Sequence, residues 1–213
     1  MTDLALDITD VIAEPYAAVP QLVAKIHLTE STGAVVHALA LRCQVRIEPQ
    51  RRAYTEEEDQ GLADLFGPRE RWSTTLKPFL WMQTGSVLPG FTGSCDIDLP
   101  LPCTYDFEVA GSKYLHALRD GSVSLVFLFS GTVFTQGESG FAIDNVPWDR
   151  DIRYQMPVRV WRELMDQYFP NSGWIRLDKD VLDALSHYRS ARGLTSWEAA
   201  VTGLLGQAEE VVS

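Results

Sequence analysis

The sequence has few of the features that mark secreted or membrane-spanning proteins. Only three of its 213 residues are cysteines, Cys43, Cys95 and Cys103, and an odd number without a close pair indicates reduced thiols rather than a disulfide framework. The longest apolar run, residues 125–129, is far shorter than the roughly 20 residues that cross a bilayer. Residues 1–10 lack the basic and apolar segments of a signal peptide. We therefore expect a soluble, cytoplasmic protein.

Positive charge is scarce as well. The chain carries 18 Lys and Arg against 29 Asp and Glu, which gives a net charge of −11. Such a charge argues against electrostatic attraction to nucleic acid or to anionic lipid. The acidity belongs mainly to residues 1–41 and 72–147, whereas residues 148–213 are nearly balanced and rich in arginine. The carboxy-terminal end therefore remains free to meet an acidic partner.

Motifs of known catalytic and cofactor sites are absent from the sequence. It contains no glycine-rich phosphate loop, no Gly-x-Ser-x-Gly elbow and no His or Cys spacing typical of a metal site. His37, Cys43 and Cys95 share the inward parity of predicted strands, but small buried thiols in a core explain them without a metal. We therefore predict no catalytic residues, no cofactor and no bound metal, and favour a protein that is not an enzyme.

Alternation of apolar and polar residues predicts a body made of β-strands. Residues 22–28 and 39–47 alternate in this way on either side of a turn-forming stretch, which predicts an antiparallel hairpin. Residues 85–90 are predicted to form a loop, and residues 91–99 a further strand. Residues 123–134 are apolar on both faces, which is typical of a central strand.

Helical signals interrupt this body and then replace it. Thr55 and Glu58 form a capping box that begins a short helix, and Gly67 ends it. From residue 148 onward the apolar period changes from two to 3.6 residues. We therefore predict an α+β fold: an antiparallel β-sandwich, immunoglobulin-like or similar, over residues 1–147, with a small helical appendage, residues 148–213, packed on it.

Two clusters of side chains are candidate binding residues. In the first, His116, Arg119 and Asp120 lie one turn apart on a predicted helix and could face one way, as acid–base chemistry requires. A solvated helix face with a His–Asp pair is the alternative interpretation.

The second cluster lies where the predicted strands give way to helices. It consists of Trp148, Asp149, Arg150, Arg153 and Tyr154. Aromatic residues beside arginine are typical of a binding hot spot. A seam between domains, with Trp148 as its packing anchor, would have the same composition, and both interpretations stay open.

Five stretches of the chain resemble a bacterial family of unknown function, of the high-GC, actinobacterial type. They are EPYAAVP at 14–20, LRCQVRIEPQRR at 41–52, CTYDFEVA at 103–110, KYLHALRDG at 113–121 and YFPNSGW at 168–174. Fourteen arginines against four lysines agree with a GC-rich source. Because members of that family are encoded beside [NiFe]-hydrogenase subunits and maturation factors, the resemblance implies a role accessory to a hydrogenase. It implies no site residues.

Two functions from different classes fit the sequence. The first is a non-enzymatic accessory protein whose helical appendage or sheet face binds a protein partner, which by the resemblance is a hydrogenase subunit or maturation factor. The alternative is a protein that handles a small molecule or metal, or an enzyme, with a pocket near His116 and Asp120 and with Cys103 nearby. Neither hypothesis includes nucleic acid or a membrane as partner.

Overall fold

Antiparallel strands form most of the chain up to residue 157 in the computed structural model. The structure describes residues 2–104, 106, 109–137, 140–146, 151–173 and 175–212. These residues form eight strands, six α-helices and two short 3-10 helices. The chain divides into two compact units, Met1–Trp174 and Ile175–Ser213.

The first unit contains two antiparallel sheets. Its strands are β1 (Leu4–Ala13), β2 (Gln21–Glu30), β3 (Val35–Ile47), β4 (Phe79–Thr92), β5 (Ser94–Pro102), β6 (Ser122–Gly137), β7 (Gly140–Asn145) and β8 (Asp151–Pro157). A three-stranded sheet has the order β1-β2-β5, and a five-stranded sheet has the order β4-β3-β6-β7, with β8 also paired to β6. The predicted central strand is therefore confirmed, because β6 is paired along both of its edges.

Inward-facing apolar side chains from the two sheets share one core. In β3, every second residue from Leu39 to Ile47 is buried, whereas Arg42, Gln44 and Arg46 between them are exposed. Leu22, Ala24, Ile26 and Leu28 of β2 belong to the same core. This alternation is the one that the sequence displays, and it confirms an α+β fold with a sandwich-like part.

The predicted hairpin between β2 and β3 is wrong. These two strands belong to different sheets, because β2 lies between β1 and β5 while β3 lies between β4 and β6. The turn between them is a corner that leads from one sheet to the other. Glu30 organises this corner, since its buried carboxylate accepts hydrogen bonds from the Thr32 hydroxyl at 2.6 Å and the Ala34 amide at 2.9 Å.

The predicted loop at residues 85–90 is also wrong, because these residues lie inside β4. A Cβ atom at Gly85 would lie 2.7 Å from the carbonyl oxygen of Leu41, and one at Gly90 would lie 2.7 Å from that of Val36. The two glycines therefore mark places where the backbone of β3 approaches too closely for a side chain.

One strand occurs where the sequence predicted helices. β8 (Asp151–Pro157) pairs with β6 and completes the five-stranded sheet before the chain becomes helical. The predicted domains 1–147 and 148–213 stay a prediction, but the first compact unit extends to Trp174.

The described residues also form six α-helices, besides the short 3-10 helices Pro49–Arg51 and Arg69–Arg71. They are α1 (Glu56–Phe66), α2 (Trp72–Thr75), α3 (Ala110–Ala117), α4 (Val158–Tyr168), α5 (Lys179–Ala191) and α6 (Trp197–Val212). The predicted capping box of α1 is confirmed: the Thr55 hydroxyl accepts from the Glu58 amide, and the Glu58 carboxylate accepts from the Thr55 amide. No helix in the described ranges combines the length and apolarity needed to cross a membrane.

Candidate functional site

A cleft of about 160 Å³ opens between the end of α3 and one face of α4. Its floor consists of the buried side chains of Trp161 and Met165. Four exposed polar residues surround this apolar floor, namely His116, Arg119, Arg162 and Asp166. All six residues belong to the first compact unit. We call this concavity the α3–α4 cleft.

Glu58 of α1 fixes the backbone at one edge of the cleft. Its carboxylate is almost fully buried and accepts hydrogen bonds from the Arg119 amide at 2.8 Å and the Arg52 guanidinium at 2.7 Å. Burial by itself raises the pKa of Glu58, but the backbone donors Arg119 and Thr55 and the charge of Arg52 outweigh it and hold the pKa below 4.5. The carboxylate is therefore ionised at neutral pH and anchors the residue from which the Arg119 side chain extends.

Further hydrogen bonds connect α4 to the segment that follows α3. Arg162 donates from Nη1 to the Arg119 carbonyl at 2.9 Å, and the Val158 amide donates to the Gly121 carbonyl at 2.9 Å. The Arg119 guanidinium in turn forms an ion pair with Glu57, with 2.8 Å between Nη2 and Oε1. Two guanidinium groups are thus held at the same cleft.

The histidine of this cleft lies beside two positive charges. Partial burial of the imidazole, and then the positive charges of Arg119 and Arg162, disfavour the imidazolium and lower the pKa of His116 below 6.5. The imidazole also packs edge-to-face against the indole of Trp161, with 6.5 Å between the ring centroids. His116 is therefore largely neutral at pH 7.

The structure brings two members of the first predicted cluster, His116 and Arg119, to the cleft. The third, Asp120, is not one of the cleft residues, and its Oδ1 accepts a hydrogen bond from the Gly121 amide at 2.7 Å. The sequence placed all three on one helical face, but α3 ends at Ala117.

Sequence reasoning missed the contribution of α4 to this cleft. Apolar periodicity alone places Trp161 and Met165 on one face of a helix, and no motif marks Arg162 and Asp166 beside them as site residues. The i,i+4 spacing of each pair does indicate a helix with an apolar and a charged strip. The path of the chain through β6 and β8 decides which helix this face of α4 contacts. The spacing of residues along α4 does not show that path.

The second predicted cluster is only partly described. Trp148, Asp149 and Arg150 lie outside the described residues. Arg153 pairs with Asp151 at 3.1 Å and lies 3.4 Å from the buried carboxylate of Glu48.

Tyr154, the next residue along β8, bonds across to β1. It donates a hydrogen bond to Asp10 at 2.9 Å. Burial of the phenol raises the pKa of Tyr154, and the hydrogen bond to Asp10 raises it further. Arg153 and Tyr154 both contact residues of the first unit, and a binding role for this cluster stays a prediction.

The three cysteines are free thiols in environments that disfavour ionisation. Burial raises the pKa of Cys43 and of Cys103 to about 12. A protonated thiol is a poor nucleophile and a poor metal ligand. Within the described ranges, no three His, Cys, Asp or Glu side chains lie close enough together to hold a metal ion.

The second compact unit presents an exposed apolar surface. Its two helices, α5 and α6, contact each other, and the Arg189 guanidinium stacks over the Trp197 ring at 4.0 Å. No residue of α5 is buried. Six large apolar side chains of the pair remain between 39% and 61% exposed, namely Val181, Leu182, Trp197, Val201, Leu204 and Leu205. We call these six residues the helix-pair surface.

A protein-family model matches residues 1–213 of the chain. The chain belongs to DUF6084, a family of unknown function. The family-level resemblance seen in the sequence is thereby supported, whereas the comparison says nothing of hydrogenase genes. No curated protein matches the chain.

Similar solved structures are distant from this member of DUF6084. A β-glucosidase from Kluyveromyces marxianus is 8% identical, with a TM-score of 0.26, over 73% of this chain and 15% of the other. A Bordetella pertussis protein assigned as ApaA is 15% identical, with a TM-score of 0.27, over 73% of this chain and 94% of the other. The chain thus spans about 15% of the length of the β-glucosidase. Likenesses at this level carry no inference about fold or function.

Proposed function

We propose that this DUF6084 protein is a non-enzymatic accessory protein that binds another protein through its helix-pair surface. The observation that carries the proposal is the exposure of apolar side chains on both α5 and α6. Folded proteins rarely leave large contiguous apolar patches in water unless the patch is used for binding. The unit Ile175–Ser213 is also near the size, about 40 residues, below which a chain segment usually needs a partner or cross-links to remain folded.

The chemistry of this surface favours a partner with an apolar patch. The residues at the start of α5 carry charges of both signs, since Arg176 and Lys179 are sequence neighbours of Asp178 and Asp180. Burial of apolar area, worth roughly 25 cal/mol per Å², would therefore supply most of the binding free energy. The sequence resemblance makes a [NiFe]-hydrogenase subunit or maturation factor the first partner to test.

Co-purification tests this proposal. The 213-residue chain is expressed together with genes for the subunits and maturation factors of a [NiFe]-hydrogenase, as wild type and as the double variant Leu182→Asp/Leu205→Asp. A carboxylate at each of these positions should reduce recovery of the hydrogenase protein at least tenfold, because an unpaired charge in an apolar interface costs several kcal/mol.

A control introduces one carboxylate outside the helix-pair surface. Thr202 lies on α6 and is exposed, so Thr202→Asp should leave recovery unchanged. Circular dichroism of each variant confirms that the helices still form. The proposal is contradicted if no hydrogenase protein is recovered with the wild-type chain, or if the double variant recovers as much as Thr202→Asp.

The second candidate function is binding of a small molecule near His116 and Asp120, and the α3–α4 cleft favours it. Two arginines, a histidine and an apolar floor meet there, as is usual in ligand pockets that combine apolar walls with a few polar groups. The metal-handling and enzymatic forms of this alternative receive less support. The Cys103 side chain is partly buried, and its thiol donates a hydrogen bond to the Leu101 carbonyl at 3.4 Å.

A further inference from the structure

We propose that the α3–α4 cleft binds the carboxylate or phosphate group of a small anion, with Arg119, Arg162 and His116 as donors. This inference rests on the second proposed function, small-molecule binding at the cleft, and adds the chemical class of the ligand. It is independent of the interaction proposed for the helix-pair surface.

The donors come from two elements that the fold holds together. Arg162 extends from α4, whereas His116 and Arg119 come from the end of α3. A guanidinium group has five N–H donors, and Arg162 gives one of its two Nη groups to the Arg119 carbonyl. In the described part of the chain, no carboxylate forms an ion pair with Arg162. Its remaining donors are therefore available to an oxyanion.

The hydrogen bonds to the amide and carbonyl of Arg119 reduce the conformational entropy that is lost when a ligand binds. Arg119 is held through its amide by Glu58, and Arg162 is held through its guanidinium by the Arg119 carbonyl. Donors that are already in place lose less conformational freedom when a ligand arrives. The buried floor of Trp161 and Met165 excludes water from one side of the bound group, and a less polar surrounding strengthens charge-assisted hydrogen bonds.

The size of the cleft restricts the ligand. Pockets for drug-sized molecules enclose roughly 300–1,000 Å³, whereas this cleft has about 160 Å³. It therefore accommodates one charged group of a small ligand rather than a whole nucleotide. Phosphate and short dicarboxylates provide that group.

Charged neighbours of His116 predict how binding depends on pH. Arg119 on its own segment and Arg162 on α4 disfavour its protonation, while Asp166 on α4 lies at the same cleft. From α1, Glu57 pairs with the Arg119 side chain and Glu58 binds the Arg119 amide. An anion between the arginines offsets their charge and raises the pKa of His116. For a ligand whose own charge stays constant, binding must therefore tighten as the pH falls through the pKa of His116.

Substitutions of Asp166 and Arg162 should change the affinity for anions in opposite directions. It is the acidic residue among the six that line the cleft, and its charge opposes that of an incoming anion. Asp166→Asn should tighten anion binding severalfold, whereas Arg162→Gln should weaken it about tenfold, which corresponds to the loss of one charge-assisted hydrogen bond. Arg162→Lys should retain much of the affinity because the charge remains.

The experiment is a nuclear magnetic resonance titration of the His116 imidazole in the full-length chain. Phosphate and succinate are the anionic probes, succinamide is the neutral match for succinate, and the ionic strength is held constant. We expect phosphate, succinate or both to raise the pKa of His116, and succinamide to leave it unchanged. A response to phosphate alone would assign a phosphate ligand, and a response to succinate alone would assign a carboxylate ligand.

Other results would overturn the inference. If succinamide binds as well as succinate, the cleft binds small molecules without selecting charge, and the ligand class is wrong while the second proposed function survives. If none of the three probes alters the His116 resonances, both fail at this cleft. Arg46→Gln is the control, since Arg46 is exposed on β3 and away from the cleft. A loss of affinity in this control equal to that of Arg162→Gln would mean general screening rather than a site.

Discussion

Glu58 is a single carboxylate that connects three separate parts of the first unit. It completes the capping box of α1, forms an ion pair with Arg52, and accepts the amide proton of Arg119. The sequence reveals the first of these roles, because the Thr55–Glu58 spacing is local. It does not reveal the third, since Arg119 lies 61 residues away. Glu58 therefore links helix capping to the position of a cleft residue.

Removing the charge of Glu58 should destabilise the protein strongly. We predict that Glu58→Gln lowers the free energy of unfolding by about 3 kcal/mol, because Arg52 would be left as a largely buried, unpaired charge. Urea denaturation measures this loss. Glu57→Gln is the matched control: Glu57 is exposed, and an exposed ion pair contributes less than about 1 kcal/mol. Equal effects of the two substitutions would contradict the role assigned to Glu58.

The lowered pKa of Glu58 predicts that the stability of the protein depends on pH. The pKa of Glu58 in the folded chain lies below its ordinary value of 4.5. Its contribution is therefore complete above pH 4.5 and is lost as the pH falls through the folded pKa. We expect the difference in unfolding free energy between wild type and Glu58→Gln to be constant near neutral pH and to shrink below pH 4.5. A difference that stays constant down to pH 3 would refute this assignment.

At the scale of elements, apolar periodicity identified strands but not their partners. β2, β3 and β6 all occur where alternating or continuous apolar residues predicted them. That β2 and β3 belong to different sheets could not be read locally, because a corner and a hairpin use the same turn residues. β8 was missed although Asp151, Arg153 and Gln155 alternate with apolar residues, because the strand has only seven residues and α4 follows at once.

Glycines inside strands provide a test at this scale. A Cβ atom at Gly131 of β6 would overlap the carbonyl oxygen of Ala40 in β3. We predict that Gly131→Ala lowers the free energy of unfolding by roughly 1–3 kcal/mol, as overpacking does.

Gly206 of α6 has no neighbouring atom within 4 Å of such a Cβ, so Gly206→Ala should increase helicity and stabilise α6 by up to about 1 kcal/mol.

Urea denaturation and circular dichroism measure these two effects. The outcome that contradicts the packing argument is a Gly131→Ala variant as stable as wild type.

At the scale of the whole molecule, charge is distributed by face rather than evenly. Across the three-stranded sheet, His27 of β2 lies 2.6 Å from Asp96 of β5 and opposite Asp7 of β1, and Lys25 lies 2.7 Å from Asp98. Three acidic side chains on this face thus surround two basic ones. The net charge of −11 therefore does not exclude local positive sites such as the α3–α4 cleft.

The candidate site was only half visible in the sequence. His116 and Arg119 were singled out because titratable groups at helical spacing are conspicuous, and the structure places both at a cleft. Trp161 and Arg162 complete that cleft from α4, and their proximity to α3 is a property of the folded chain. The helix-pair surface was predicted only in outline, as a helical appendage, because periodicity identifies an apolar helical face without showing whether it is covered.

Binding through the helix-pair surface is the central claim, and site-specific photo-crosslinking tests it most directly. A photoreactive amino acid replaces Leu205 in one variant of the 213-residue chain and Arg46 in another, and each variant is expressed together with genes for the subunits and maturation factors of a [NiFe]-hydrogenase. Leu205 is 61% exposed on α6, whereas Arg46 is exposed on β3 of the first unit. We predict that a hydrogenase subunit or maturation factor is crosslinked from position 205 and not from position 46. The absence of that crosslink from position 205, or equal crosslinking from both positions, would contradict the claim.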